Sequence, residues 1–150
     1  MSKTVKAAEK KITKESGIKY SDKSIGQPEL VPIFEELKKL LKPYEKGTIQ
    51  VIGDRGGQFI LCSKKKVQIE GRKHDEVYFA GLLVQKGYVG FYYMPVYAQP
   101  EMKKIFKPEL LKLLKGKSCF HIKKLDNGLK TQIKDALADG YECYKERGWV

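Results

Sequence analysis

Between Glu29 and Lys42 the apolar residues recur at intervals of three and four: Leu30, Ile33, Phe34, Leu37, Leu40 and Leu41. That period gathers them on one side of a helix. Pro28 and Pro32 stand near its start, where a missing backbone N–H does no harm, and Pro43 stops it. The pattern then shortens to an alternation of two. Strand-like runs lie at Thr48–Ile52, Gln58–Ser63, Val67–Glu70, Glu76–Gln85 and Tyr88–Met94. Gly53–Gly57 is a turn cluster, Lys64–Lys66 separates two runs, and Gly71–Asp75 is polar and loop-like. Only Lys86-Gly87 stands between the two longest runs, which is a two-residue hairpin signal.

After Pro95 the period lengthens again. Pro100 opens a short helix carrying Met102, Ile105 and Phe106. Pro108 opens another helical turn system with Leu110, Leu111, Leu113 and Leu114, closed by Gly116. Ser118–Ile122 reads as a short strand. Asp126 is placed to cap a last helix with Leu129, Ile133, Leu137, Tyr141 and Tyr144 on one face, ended by Gly148. Grouped, the elements run α-β-β-β-β-α-β-α. Strands joined by short turns predict an α+β two-layer domain, with a mainly antiparallel β-sheet and helices on one face. Residues 28–150 form that single domain. Residues 1–27 are a polar, Lys-rich N-terminal extension, loosely docked, with a weak stripe of Val5, Ala7, Ala8 and Ile12.

Composition narrows the function classes. Of 150 residues 41% are apolar, enough for one packed core. No apolar run approaches the roughly 18 residues a membrane span needs, and no apolar leader is evident, so the expectation is a cytoplasmic protein. Cys62, Cys119 and Cys143 form no CxxC pair, which argues against a disulfide framework or a zinc ribbon. The net charge is +12, and residues 101–130 hold nine Lys against three acids, half of that excess. Lys outnumbers Arg 27 to 3, and base recognition favours the bidentate fork of Arg. Lys103, Lys104, Lys107, Lys112, Lys115 and Lys117, with Lys123, Lys124 and Lys130 following, would therefore give weak, non-specific binding of anions or nucleic acid.

Alternation within the strands proposes a working face. Phe120 and Ile122 point to one side and Cys119, His121 and Lys123 to the other. Val89, Phe91 and Tyr93 oppose Tyr88, Gly90, Tyr92 and Met94. In the longest run Val77, Phe79 and Leu83 oppose Tyr78, Leu82 and Val84. Helices cover one face of a two-layer sheet, so the other face is left apolar and aromatic, rimmed by Lys, Cys and His. Such a surface marks a ligand groove or an interface, including one between two copies of the chain, unless the N-terminal segment covers it. Tyr78, Tyr92, Met94, Cys119, His121 and Lys123 are the residues expected to line it. The ligand would be small and anionic or amphipathic, or a protein partner.

Other constellations carry less. Cys119 and His121 pair a thiol with an imidazole, but side chains at i and i+2 of a strand stand about 7 Å apart at the backbone, loose for a nucleophile and its base. Lys115-Gly-Lys-Ser118 ends like a phosphate loop, yet it lacks the earlier Gly and precedes a strand. RNA-binding sheets carry aromatics on two strands, but their signature run and element order are missing here. No catalytic motif stands in its required context, so the expectation is a binding module and not an enzyme.

From Tyr78 onward the chain resembles the YdhG-like family of bacterial domains of unknown function. The residues that carry the likeness are Val77-Tyr-Phe-Ala-Gly81, Tyr88-Val-Gly-Phe-Tyr-Tyr-Met-Pro-Val-Tyr97, Leu114-Lys-Gly-Lys-Ser-Cys-Phe-His-Ile-Lys123, Gly140-Tyr141, Tyr144 and Gly148-Trp149-Val150. The resemblance spans roughly 29–150. It implies an α+β fold related in outline to frataxin. Some relatives are described as frataxin-like iron chaperones that use carboxylates along the first helix. Here Glu29, Glu35 and Glu36 are interleaved with Lys38, Lys39 and Lys42. Iron is therefore the one metal implied, with His74, Asp75, Glu76 and His121 as candidate ligands; no other cofactor is expected.

Overall fold

Helix α1, Val31–Leu41, forms where the apolar period predicts it and buries Phe34, Leu37 and Leu41. It belongs to a computed structural model that describes residues 20–150. Six strands follow: β1 (Ile49–Arg55), β2 (Gln58–Ser63), β3 (Val67–Ile69), β4 (Arg72–His74), β5 (Val77–Gln85) and β6 (Tyr88–Tyr93). Then come α2 (Met94–Ala98), a 3₁₀ turn over Pro100–Ile105, α3 (Pro108–Leu111), β7 (Leu114–Lys115), β8 (Cys119–Ile122) and α4 (Asn127–Glu146). The main sheet has six strands in the order β1-β2-β5-β6-β8-β7, each antiparallel to its neighbour. The molecule is an α+β domain with a mostly antiparallel sheet, as its pattern predicts.

The core lies between this sheet and the layer of α1 and α4. Phe59, Phe79, Leu82, Phe91, Tyr93 and Phe120 have no exposed surface. From α4 the residues Leu129, Ile133, Ala136, Leu137 and Tyr144 meet them. Asp126 caps α4 as expected, its carboxylate accepting the Leu129 N–H at 2.8 Å. Gly148, at a φ of +75°, ends the helical segment.

Four details differ from the pattern. Gly71–Asp75 is not all loop: β4 pairs with β3 in a separate hairpin, turned by Glu70 and Gly71 with φ of +50° and +79°. Glu-Gly is an uncommon pair for that turn, so the hairpin signal was weak. Leu114 leaves the helical turn system to form β7, a two-residue edge strand held by pairing with Phe120 and Cys119. Met94 is not the last residue of β6 but the first of α2, because Pro95 favours the first turn of a helix and cannot donate to a ladder. Finally, β5 carries a bulge. Leu61 pairs with Ala80 and Cys62 with Tyr78, which leaves Phe79 as the extra residue. The bulge reverses the alternation midway, so Phe79, Leu82 and Val84 all reach the helix layer, while Tyr78 and Leu83 share the open face.

Residues 20–27 make specific contacts. The Tyr20 hydroxyl donates to the Gly56 carbonyl, and Arg55 lies over the Tyr20 ring at 4.0 Å. The Gln27 side chain donates to the Gln85 carbonyl at 3.0 Å and accepts the Gly87 N–H at 2.7 Å. The segment is thus tied to the β1–β2 and β5–β6 turns. The stripe of Val5, Ala7, Ala8 and Ile12 lies outside the described residues.

Candidate functional site

Two glycines shape the open sheet face. Gly81 pairs with Tyr92, and Gly90 pairs with His121. The Tyr78 hydroxyl rests where a Cβ on Gly81 would stand, and the Tyr92 ring comes within 2.9 Å of a Cβ position on Gly90. Both rings therefore lie down on the sheet and replace the side chains the glycines lack. Burial pushes both tyrosine hydroxyls above their ordinary pKa. Gln85 Nε2 donates to the Tyr92 hydroxyl at 3.2 Å and anchors that ring. What remains open is a shallow cleft of about 290 Å³, bordered by Gln58, Ile60, Leu83, Tyr78, Tyr92 and Met94.

A larger cleft, about 670 Å³, opens at the other side of β8. Its walls are the segment from α3 to β7, the end of β8, and the first turn of α4. The segment is drawn against β8 by the β7 pairing and by the His121 N–H, which donates to the Leu113 carbonyl at 2.9 Å. Leu113 and the buried Leu129 supply apolar surface, and Lys112, Lys115, Lys123 and Lys124 supply charge. None of these four lysines joins an ion pair among the described residues. The two carboxylates present are engaged: Glu109 accepts from Gln132 Nε2 at 3.1 Å, and Asp126 caps α4.

His121 lines this cleft. Its ring stacks on Tyr88, with centroids 3.9 Å apart and planes 11° from parallel. Burial, then the charges of Lys115 and Lys123, hold its pKa below the usual histidine value.

The six residues expected on one groove thus fall into two places. Tyr78, Tyr92 and Met94 border the shallow cleft, and His121 and Lys123 border the basic one. Cys119 pairs with Tyr92 between them. Its thiol is pushed up by burial, and no hydrogen bond joins it to His121 among the described residues. The lysine stretch divides as well. Lys112, Lys115, Lys123 and Lys124 converge, Lys103 and Lys117 line a separate hollow beside Tyr97, and Lys130 reaches Glu36 at 3.3 Å. Leu113, Leu129 and the Tyr88 stack were not expected, because their convergence depends on how α4 meets β8.

His74 and Glu76 border a third hollow, beside the β3–β4 hairpin with Tyr78 and Trp149. Glu76 there accepts from Lys64 at 2.6 Å, Asp75 is exposed, and His121 is on β8, outside that hollow. Among the described residues no group of three or more His, Cys, Asp or Glu is placed to hold a metal ion. No described helix is long and apolar enough to cross a membrane.

No protein-family model, no curated protein and no solved structure gives a significant match to the chain. The YdhG-like resemblance therefore rests on its motifs.

Proposed function

We propose that this chain is a binding domain for a small anionic ligand, and that the basic cleft between β8 and α4 is its site. The observation that supports this reading is the gathering, around an apolar floor, of one half-buried histidine and four lysines that have no ion-pair partner among the described residues. Like charges brought this close repel, and the repulsion is relieved when an anion enters. A cleft of about 670 Å³ suits a small molecule. Lys ammoniums act as point charges on phosphate, sulfate or carboxylate oxygens through charge-assisted hydrogen bonds. Leu113 and Leu129 would take the apolar part of an amphipathic ligand. Binding fits better than catalysis, since the Cys119 thiol is pushed up by burial and has no hydrogen bond to a base among the described residues.

The test is calorimetric titration of the full chain with inorganic sulfate in low-salt buffer. A K115Q/K123Q double variant is expected to bind at least tenfold more weakly, roughly the loss of one charge-assisted contact. Equal affinity in the double variant, or equal loss in a K103Q/K117Q control, would refute this location.

A further inference from the structure

We propose that His121 determines which anion the basic cleft accepts: doubly charged oxyanions of the phosphomonoester and sulfate class, bound with uptake of one proton onto the imidazole. This rests on the anion-binding reading of the cleft given above.

Geometry holds the ring in place. Tyr88 on β6 covers one face of the His121 imidazole in a near-parallel stack, and the backbone N–H of His121 is tied to Leu113. The ring borders the cleft together with Lys115 of β7 and Lys123, just past the end of β8. Around the same space stand Glu109 of α3 and Lys112 at its end, with Lys124 and Asp126 ahead of α4 and Gln132 on it. Cys119 shares the face of His121 two residues earlier.

In the empty cleft these surroundings oppose a charged ring. Burial and the two nearest ammoniums favour the neutral imidazole, which has a single N–H to donate. A dianion between Lys115 and Lys123 offsets the field of both ammoniums at the ring, whereas a monoanion offsets only one. With the repulsion of both lysines offset, the oxygens of a tetrahedral dianion that the lysines do not reach accept from a charged ring, while the net positive charge left by a monoanion still opposes it. The imidazolium then presents two donors and a charge. The proton comes from solvent, and no other covalent bond changes. A monoanion such as acetate leaves the ring neutral and loses that interaction, so the histidine discriminates by ligand charge.

The sign of the pH dependence follows. His121 has a higher pKa in the complex than in the free protein. Affinity for a dianion therefore rises as pH falls through the bound pKa and levels off below the free pKa, by about tenfold per pH unit between the two.

Sulfate is the probe, because unlike phosphate it stays doubly charged over the whole range. Sulfate and acetate are titrated calorimetrically into the full chain at constant low ionic strength from pH 5.5 to 8. A repeat at pH 6.5 in two buffers of different ionisation enthalpy counts the protons taken up. The chain has two histidines, His74 and His121, so NMR of the ring protons follows each pKa with and without sulfate. The expected result is sulfate binding at least tenfold tighter at pH 5.5 than at pH 8, with proton uptake at pH 6.5. The pKa of His121 rises in the complex, and the ring signals of His74, which lies outside the cleft, do not respond to sulfate. His121→Gln is expected to flatten the pH profile and to shrink the preference for sulfate over acetate, while binding persists through the lysines. Should that variant fold poorly, the NMR titration of the unaltered chain decides. Sulfate binding that depends on Lys115 and Lys123 but is independent of pH, with an unmoved His121, would overturn this inference and leave the anion-binding reading standing. No sulfate binding at any pH would overturn both.

Discussion

Replacing Gly140 by alanine is expected to destabilise the domain, although alanine is the best helix former. Gly140 is buried in α4, where the helix crosses the end of β6 and the start of α2. A Cβ there would stand 2.5 Å from the Tyr93 hydroxyl oxygen, 2.9 Å from Tyr93 Cζ and 2.7 Å from Pro95 Cγ. Neither partner can retreat easily. Tyr93 has no exposed surface, and its hydroxyl donates to the carbonyl of Ala136, one turn before Gly140 on the same helix. Pro95 is buried as well. Overpacking costs about 1–3 kcal/mol. Forcing the Tyr93 hydroxyl off its buried acceptor costs about another 1–3 kcal/mol. The intrinsic helix preference returns about 1 kcal/mol. The net expectation is a loss of about 3 kcal/mol, or roughly 9 °C in Tm for a domain of this size. Urea unfolding followed by circular dichroism reads it directly. Tyr93→Phe supplies the control: it removes the closest clashing atom, so G140A should cost less in that background than in the original chain. A G140A variant about 1 kcal/mol more stable than its parent, the gain of an unobstructed helix site, would refute this reasoning. An equal cost in both backgrounds would clear the Tyr93 hydroxyl and leave the ring carbon and Pro95 as the obstacles.

Ser63→Ala should cost about 1–3 kcal/mol, because the buried Ser63 hydroxyl donates to the Trp149 carbonyl at 2.6 Å and shares a bond with Thr48 at 2.9 Å. A red shift of the fluorescence of Trp149, the only tryptophan, would report the released C-terminus. Asp126→Ala should lower stability by about 1 kcal/mol through loss of the α4 cap, yet tighten sulfate binding, because it also removes a carboxylate from the cleft wall; weaker sulfate binding in a folded variant would count against the cleft. The pKa of His121 is lower in the folded chain than the unfolded value near 6.5, so the unfolded state binds more protons around and below that pH. Its contribution to stability is complete at pH 8 and is lost as pH falls through 6.5 towards the folded pKa. His121→Gln should therefore reduce the acid-side loss of stability in sulfate-free buffer, and an unchanged pH profile would contradict the assigned direction.

The parts of this fold that depend on neighbours along the chain could be read without tertiary information. Helix α1 follows from six apolar residues at helical spacing between prolines, the start of α4 from Asp126, and the β5–β6 hairpin from Lys86-Gly87. The choice of Phe120 and Ile122 as core residues needed only the alternation of a strand. The site depended on more distant partners. Phe79 is an extra residue only relative to β2, and its bulge decides that Tyr78 and not Leu82 faces outward. Tyr78 lies down over Gly81 and Tyr92 over Gly90, each a glycine of its own strand, a close approach that alternation alone does not reveal. Leu114 becomes a strand only because β8 offers it an edge. The basic cleft exists because β8, the α3–β7 segment and the start of α4 converge. Charge composition placed nine lysines in residues 101–130; which four of them line one cleft was decided by packing. Periodicity reports on a residue and its own element, whereas bulges, edge pairing and convergent charge are properties of contacts between elements, which a linear pattern does not contain.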